Sequence, residues 1–196
     1  MDKDNLIRCY PHVIVGILSH KEFSIDPARA PNGYSIVDFT KFMRLTYSLE
    51  RDNPIKLSQN LSGKKPRLLI IARGLSRRFT NVPEIVGSAE RLGFEVVVAD
   101  AKFDVQLGEF ARIVNSCDVL MGVHGRANEL RFLPTNAVMI QVVPYGSSST
   151  CEDGFGDPAI DMKLKYLEYS ISAEESTLMD MLGRSSNYKG SNCNSQ

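Results

Sequence analysis

The sequence has no long apolar run and no surplus of charge of either sign. No apolar stretch approaches the roughly 18 residues that a membrane helix requires, and the N-terminal MDKDNLIRCYPHVIVG lacks the basic-then-apolar order of a signal peptide. The 23 Lys and Arg residues balance 23 Asp and Glu residues among 196 in total, so no overall field would attract nucleic acid. We therefore predict no transmembrane segment and no nucleic-acid partner, and any phosphate site must be local.

Several signatures of particular chemistries are also missing. The four cysteines, Cys9, Cys117, Cys151 and Cys193, include no CxxC pair and do not indicate a redox compartment. Cys117 is predicted to be a buried thiol. The sequence contains no G-x-x-x-x-G-K-[ST], no G-x-G-x-x-G and no G-x-S-x-G. The nucleotide-dependent α/β enzymes that carry these motifs are therefore poorly supported.

Residues 66–146 alternate short apolar runs with amphipathic stretches. The runs predict strands that are buried on both faces, at 67–72, 94–99, 117–121 and 137–143. Between the first two, Asn81 is a candidate helix cap, Pro83 lies in the first helical turn and Gly93 could end the helix. Short connections between strands and helices predict an α/β fold, with a Rossmann-like parallel sheet and flanking helices.

The segments on either side are less regular. Apolar residues at 36–49 recur near helical spacing and predict a helix, whereas the polar run 51–65 indicates a connector. The Ser-rich and Gly/Asp-rich stretch 147–158 is predicted to be a loop, and 162–171 either a strand or a helix. The Ser/Asn-rich end, residues 183–196, is predicted to be disordered.

A parallel sheet brings the loops that follow its strands to one edge, where ligands bind. Three arginines follow the first predicted strand: Arg73, Arg77 and Arg78. They could hold a diphosphate through charge-assisted hydrogen bonds, together with backbone N–H groups of a helix predicted to begin near Ala127. The alternative is that these arginines lie on an ordinary solvated surface loop.

A histidine between two glycines follows the third predicted strand. Gly122 and Gly125 would let the backbone approach a ligand, and His124 can donate or accept a hydrogen bond near pH 7. The alternative is a turn histidine that is satisfied within the fold. Nothing in the spacing selects a catalytic acid or base among the aspartates.

Seven ordered stretches carry a family resemblance: PHVIVG, SIDPARAPNGYSIVDFTKFMR, KPRLLIIARGLSRRF, EIVGSAERLGFEVVVAD, VNSCDVLMGVHGRANELRFLPTNAVMIQVVPYG, FGDPAIDMKLKYLEY and EESTL. They extend over roughly residues 9–180 and resemble the plant family 61 glycosyltransferases, which include xylan arabinosyl- and xylosyltransferases of the Golgi. So many ordered matches are not expected by chance.

The resemblance implies one lobe of a GT-B enzyme, in which two Rossmann-like lobes hold a nucleotide-sugar donor between them, usually without a bound metal. Residues 66–182 would form the C-terminal, nucleotide-sugar-binding lobe, and residues 1–65 a connector and a remnant of the other lobe. The membrane anchor and most of the other lobe are expected to be absent from this chain. The implied partners are a UDP-sugar donor and a polysaccharide acceptor, with no cofactor, and the implied location is the Golgi.

Two family motifs fall on the candidate loops, each with departures. In the basic loop, Gly74 and Leu75 stand where arginines are common, while the three arginines named above keep the charge. The family's HGAGLTN falls on residues 124–130, where only the first two positions match. Arg126 would fill space that small residues leave open, and Glu129 would repel phosphate at close range.

We therefore expect a glycosyltransferase, or a fragment of one, that transfers a pentose such as xylose or arabinose from a nucleotide sugar to a xylan-type cell-wall polysaccharide. The predicted donor-binding residues are Arg73, Arg77, Arg78, Gly122, His124 and Gly125. No catalytic residue and no metal ligand are assigned. The alternative, favoured by the altered residues 126–130, is a catalytically inactive, truncated member that acts as a binding or assembly module.

Overall fold

The structure is a computed structural model that describes most of the chain. The described residues are 9–13, 23–56, 63–74, 77–100, 106–124, 128–146 and 155–177, with the backbone alone at 100 and 128. Two predictions, the disordered end at 183–196 and the role of Gly125, therefore lie outside the described residues. The domain boundaries at 65/66 and 182/183 stay predictions.

A parallel sheet of five strands forms the centre of the fold. Its strands are β1 Arg67–Ala72, β2 Glu95–Asp100, β3 Val119–Val123, β4 Val138–Val143 and β5 Lys165–Ser170. They lie in the order β2-β1-β3-β4-β5, and every neighbouring pair is parallel. The predicted α/β, Rossmann-like fold is confirmed. The segment left open between strand and helix, 162–171, contributes the edge strand β5.

Within the described ranges, four α-helices flank the sheet: α1 Ile36–Thr46, α2 Val82–Arg91, α3 Leu107–Asn115 and α4 Gly156–Asp161. Short 3-10 helices occupy Pro31–Gly33 and Asn128–Phe132. Helix α1 begins at a capping box, in which the Ser35 hydroxyl accepts from the Asp38 N–H and the Asp38 carboxylate accepts from the Ser35 N–H. None of the described helices is both long enough and apolar enough to cross a bilayer.

Helix α2 follows its predicted signals with one exception. Pro83 lies in the first turn, where its missing N–H costs nothing, and Gly93 has a left-handed φ of 94° just after the helix ends. The Asn81 side chain makes no capping hydrogen bond. Its expected role as a side-chain cap is therefore wrong, although the helix begins after it as predicted.

The apolar side chains of the strands alternate between two faces of the sheet. One face packs Leu69, Leu120 and Met139 against helices α1, α3 and α4, while the other packs Leu68, Ile70 and neighbouring residues against α2. We call these the α3 face and the α2 face. Cys117 is fully buried on the α3 face, as predicted, and its Sγ donates to the Ile113 carbonyl at 3.2 Å.

The prediction of a continuous loop through residues 147–158 is wrong at its end. Helix α4 begins at Gly156, and Phe155, Ala159 and Met162 bury their side chains on the α3 face. Six residues that include a glycine and a proline are too few to give a detectable periodic pattern, so tertiary packing decides this helix. Its position brings Phe155 over the carboxyl end of β4.

Candidate functional site

The strand order places the ends of β1 and β3 side by side. From β1 the chain crosses to β2 on one side and then returns to β3 on the other, so the direction of winding reverses between β1 and β3. In open α/β sheets ligands bind at such a reversal, beyond the carboxyl ends of the strands. Arg73 is the first residue after β1 and His124 the first after β3, so two of the predicted site residues flank this point.

His124 is held in a defined orientation by three neighbours. Its backbone N–H donates to the Val142 carbonyl at 2.9 Å, and its Nδ1 lies 2.9 Å from Nε2 of Gln141. The ring packs against Phe155, with 5.5 Å between centroids and a tilt of 59°. The half-buried imidazole is therefore fixed at the carboxyl edge of the sheet, on the α3 face.

Gln141 and Glu168 are residues of this site that the sequence analysis did not identify. Gln141 is fully buried in β4 and forms a register pair with Glu168 in β5, so both side chains lie on the same face. The Tyr166 hydroxyl donates to Glu168 at 2.6 Å. One feature of the sequence could have indicated Gln141: it is a single amide within the apolar run VMIQVV. A buried polar side chain requires a partner, so such an amide indicates a polar contact nearby.

The pKa of His124 reflects this environment. Burial is the main cause that holds the pKa below its ordinary value, because it disfavours the charged ring, and the positive charge of Arg77 lowers it further. The negative charge of Glu168 acts in the opposite direction. Arg77 is thus close enough to His124 for the two to interact electrostatically, and the imidazole is mainly neutral at pH 7.

The three predicted arginines differ in exposure. Arg73 is half-buried and its Nη1 atom is shielded from solvent, whereas Arg77 and Arg78 are exposed. Arg77 also has a left-handed backbone, with a φ of 49° that is uncommon for a residue with a side chain. The loop after β1 therefore presents positive charge beside the His124 ring, as an anion-binding site would require.

Comparison with known proteins identifies the family. The profile described as Glycosyltransferase 61 matches residues 20–140, which is more than half of the chain. This chain belongs to glycosyltransferase family 61. The resemblance predicted from the seven stretches is confirmed.

Curated family 61 relatives from plants extend the similarity over nearly the whole chain. Beta-1,2-xylosyltransferase XYXT1 of Oryza sativa subsp. japonica is 47% identical over 94% of this chain and 40% of its own length. Alpha-1,3-arabinosyltransferase XAT2 of the same plant is 47% identical over 91% of this chain and 31% of its own length. Xylan glycosyltransferase MUCI21 of Arabidopsis thaliana is 30% identical, with 91% and 38% covered. The chain spans less than half the length of these relatives.

The region under the family 61 HGAGLTN motif corrects one expectation. A helix that begins near Ala127 and binds an anion at its N-terminus was predicted, but the described element is a 3-10 helix of five residues, Asn128–Phe132. Leu130, Phe132 and Leu133 bury their side chains in the core, and Pro134 follows directly, so the helix cannot extend. So short an element has little dipole, and the binding of an anion at its N-terminus stays a prediction.

Of the two predicted glycines, only Gly122 lies among the described residues. Gly122 lies within β3 rather than after it, and a Cβ there would meet the Ile71 Cβ at 3.8 Å, an ordinary contact. The fold therefore tolerates a methyl group at this position, and the proposed need for glycine beside a ligand stays a prediction. Gly125 and Arg126 lie outside the described residues.

Proposed function

We propose that this chain forms the donor-binding part of a glycosyltransferase that moves a pentose, xylose or arabinose, from a UDP-sugar to a xylan-type cell-wall polysaccharide. Family membership and the names of the curated relatives support the reaction class. The proposed architecture is a GT-B enzyme in which this chain supplies the C-terminal lobe. A Golgi location is part of the same proposal.

The observation that carries the proposal is that the loops after β1 and β3, which hold Arg77 and His124, meet at the reversal point of the sheet. Diphosphate oxygens accept charge-assisted hydrogen bonds from guanidinium groups and weaker ones from a neutral imidazole. Arg73 and Arg78 belong to the same loop and would add positive charge. Gly122 and Gly125 would shape the pocket floor next to the sugar diphosphate.

Three arginines would do in this site what a metal ion does in metal-dependent transferases. A guanidinium group neutralises the leaving diphosphate through hydrogen bonds that strengthen as negative charge develops. We propose metal-independent transfer on this basis. The catalytic base is not assigned to this chain, because His124 is better suited to donating a hydrogen bond than to removing a proton.

Calorimetric titration with UDP tests the proposed site. Arg77→Ala should weaken UDP binding about tenfold, the size expected for one partly exposed charge-assisted contact. Arg91→Ala is the matched control, since Arg91 is an exposed arginine in the last turn of α2, away from the loops that follow the strands. Equal UDP affinity in the two variants would reject the role of Arg77.

A second candidate function is a binding or assembly module without catalysis. The 3-10 helix at Asn128–Phe132, which carries Glu129 in its first turn, favours it because a diphosphate gains little from such an element. Incubation of the chain with UDP-xylose or UDP-arabinose and a xylan oligosaccharide separates the two functions. Binding without transfer or hydrolysis supports the module, whereas pentose transfer excludes it.

A further inference from the structure

Gln141 is an amide in a position where an apolar side chain would be expected. It lies in β4, between β3 and β5, and none of its surface is exposed. Its neighbours in the strand, Ile140 and Val142, are apolar. A buried amide is costly unless its oxygen and its NH₂ group both have partners, so its contacts indicate why it is present.

The two contacts of Gln141 determine which way the amide points. The Phe155 backbone N–H, which can only donate, lies 3.3 Å from Oε1 of Gln141. The Gln141 oxygen must therefore face Phe155, and its NH₂ group must face the ring of His124, with 2.9 Å between Nε2 and Nδ1. An NH₂ group has no lone pair to offer in this contact, so Nδ1 of His124 is the acceptor.

This orientation decides where the imidazole carries its proton. A neutral ring that accepts at Nδ1 has its hydrogen on Nε2, and neither nitrogen then keeps a free lone pair. Such a ring donates one hydrogen bond and cannot act as a general base. The Val142 carbonyl and the Phe155 ring hold the imidazole in this pose, so the Nε2–H group has a fixed direction.

We propose that Gln141 is a positioning residue that holds His124 as an Nε2–H hydrogen-bond donor to the phosphate oxygens of the ligand. The tautomer follows from the geometry alone, whereas the identity of the acceptor rests on the proposed function. Among the described residues, the charged groups that act on the ring are Arg77, from the loop after β1, and Glu168, from β5. Their opposite charges alter the pKa of the ring, and neither group takes part in the contact between Gln141 and Nδ1.

Long-range ¹⁵N–¹H NMR of the intact chain reports the tautomer directly. The chain has three histidines, so the His124 signals are assigned by their loss in His124→Gln. We expect the Nε2–H pattern in the unsubstituted protein at neutral pH. An Nδ1–H pattern there would overturn the proposal without the need for any other variant.

Gln141→Glu is the most informative substitution because it retains the shape and the acceptor for the Phe155 N–H. An ionised carboxylate cannot donate, so Nδ1 must then carry a proton and the ring should become Nδ1–H or imidazolium, whereas a protonated carboxyl group would donate to Nδ1 as the amide does. Glu168→Gln is the matched control: it removes a nearby charge and should leave the Nε2–H pattern unchanged. The ¹³C shift of the new carboxyl group reports its ionisation, and an unaltered tautomer at a pH where that group is ionised would also overturn the proposal.

UDP titration of the same proteins separates this inference from the proposed function. If UDP binds the unsubstituted chain, Gln141→Met should lower the affinity about tenfold, because the ring loses the contact that aims its donor. Unchanged affinity would overturn the positioning role. If the tautomer is as expected but UDP does not bind the unsubstituted chain, the proposed function fails while the assignment of the tautomer to Gln141 stands.

Discussion

Asp118 and His124 flank the same strand, β3, one just before it and the other just after it, and their side chains are satisfied to different degrees. Asp118, at the amino end, is almost fully buried and accepts from the Arg51 guanidinium, from the Ile55 N–H at 2.8 Å and from the Arg67 N–H at 2.8 Å. Every contact comes from the chain itself. The carboxylate therefore fastens the segment around Arg51 to the sheet and has little capacity left for a ligand.

His124, at the carboxyl end, accepts one hydrogen bond to its ring, from Gln141. Within the described residues its Nε2 has no hydrogen-bond partner, and the exposed Arg77 lies nearby. Among the residues that the structure describes, the direction of a donor is thus fixed and no acceptor faces it. A site prepared for a ligand is recognised by this combination of rigid support and unused capacity.

The difference between the two ends shows that residue type alone does not mark a binding site. Each end combines an arginine with a polar side chain beside a buried strand. At one end the hydrogen bonds close within the fold and stabilise it, whereas at the other the described hydrogen bonds stop at the half-buried His124 ring. Substitutions at the amino end should therefore affect stability, and those at the carboxyl end should affect binding.

The largest effect is expected for Asp118→Ala. Removal of the carboxylate leaves Nη2 of Arg51 and two backbone N–H groups without their acceptor, while Nη1 of Arg51 keeps the Ser116 carbonyl. Breaking a buried pair of this kind costs about 3 to 5 kcal/mol, a large part of the stability of an ordinary domain. Urea unfolding monitored by circular dichroism would measure the loss.

The control for Asp118→Ala is Glu90→Ala, which removes an exposed carboxylate from α2. Its free energy of unfolding should change by less than about 0.5 kcal/mol. Similar stabilities for the two variants would contradict a structural role for the amino end.

A smaller loss of stability is expected for Asn115→Ala. The Asn115 amide accepts from the Arg51 N–H and donates to the carbonyls of Arg51 and Phe132, all between 2.9 and 3.0 Å. Leaving these buried groups unpaired should cost about 2 kcal/mol. Gln106→Ala, which removes an exposed amide that makes no capping bond, should cost much less in the same unfolding experiment.

The sheet could be predicted because its strands are apolar runs of ordinary length. The prediction for β1 matches at both ends, 67–72, and β2 is displaced by one residue. The predicted β3, 117–121, lies two residues before the observed strand. Cys117 and Asp118 are buried as strand residues would be, but they precede the strand. Short helix α4 depends on packing and has no periodic pattern to detect.

The candidate site could be predicted only in part. Loops after β1 and β3 must share an edge in any parallel sheet, which brought Arg77 and His124 into one hypothesis. Gln141 and Glu168 could not be placed beside His124, because their position depends on the register of β3, β4 and β5. Sequence spacing carries no information on that register without the strand order.

The pH dependence of stability is a further test of the difference between the two ends of β3, because it includes the titration of His124. Because its folded pKa is lowered by burial and by Arg77, the unfolded chain binds a proton first as the pH falls below the ordinary value of about 6.5. The stability that the neutral ring contributes is complete above that pH and is lost towards the lower folded pKa. When the pH is lowered from about 7.5 to about 5.5, the free energy of unfolding measured in urea should therefore fall less for His124→Gln than for the unsubstituted chain. Parallel losses would contradict the lowered pKa.

The smallest effect tests whether the carboxyl end forms one site at all. Arg77→Ala removes a positive charge that disfavours the imidazolium form, so the pKa of His124 should rise while the free energy of unfolding is nearly unchanged. An NMR titration of the His124 ring measures this shift. Arg91→Ala removes the same charge from the far end of α2 and should leave the pKa of His124 in place. If both variants titrate like the unsubstituted chain, Arg77 does not lie near His124 in solution. The carboxyl end of β3 is then no better supported as an anion-binding site than the amino end.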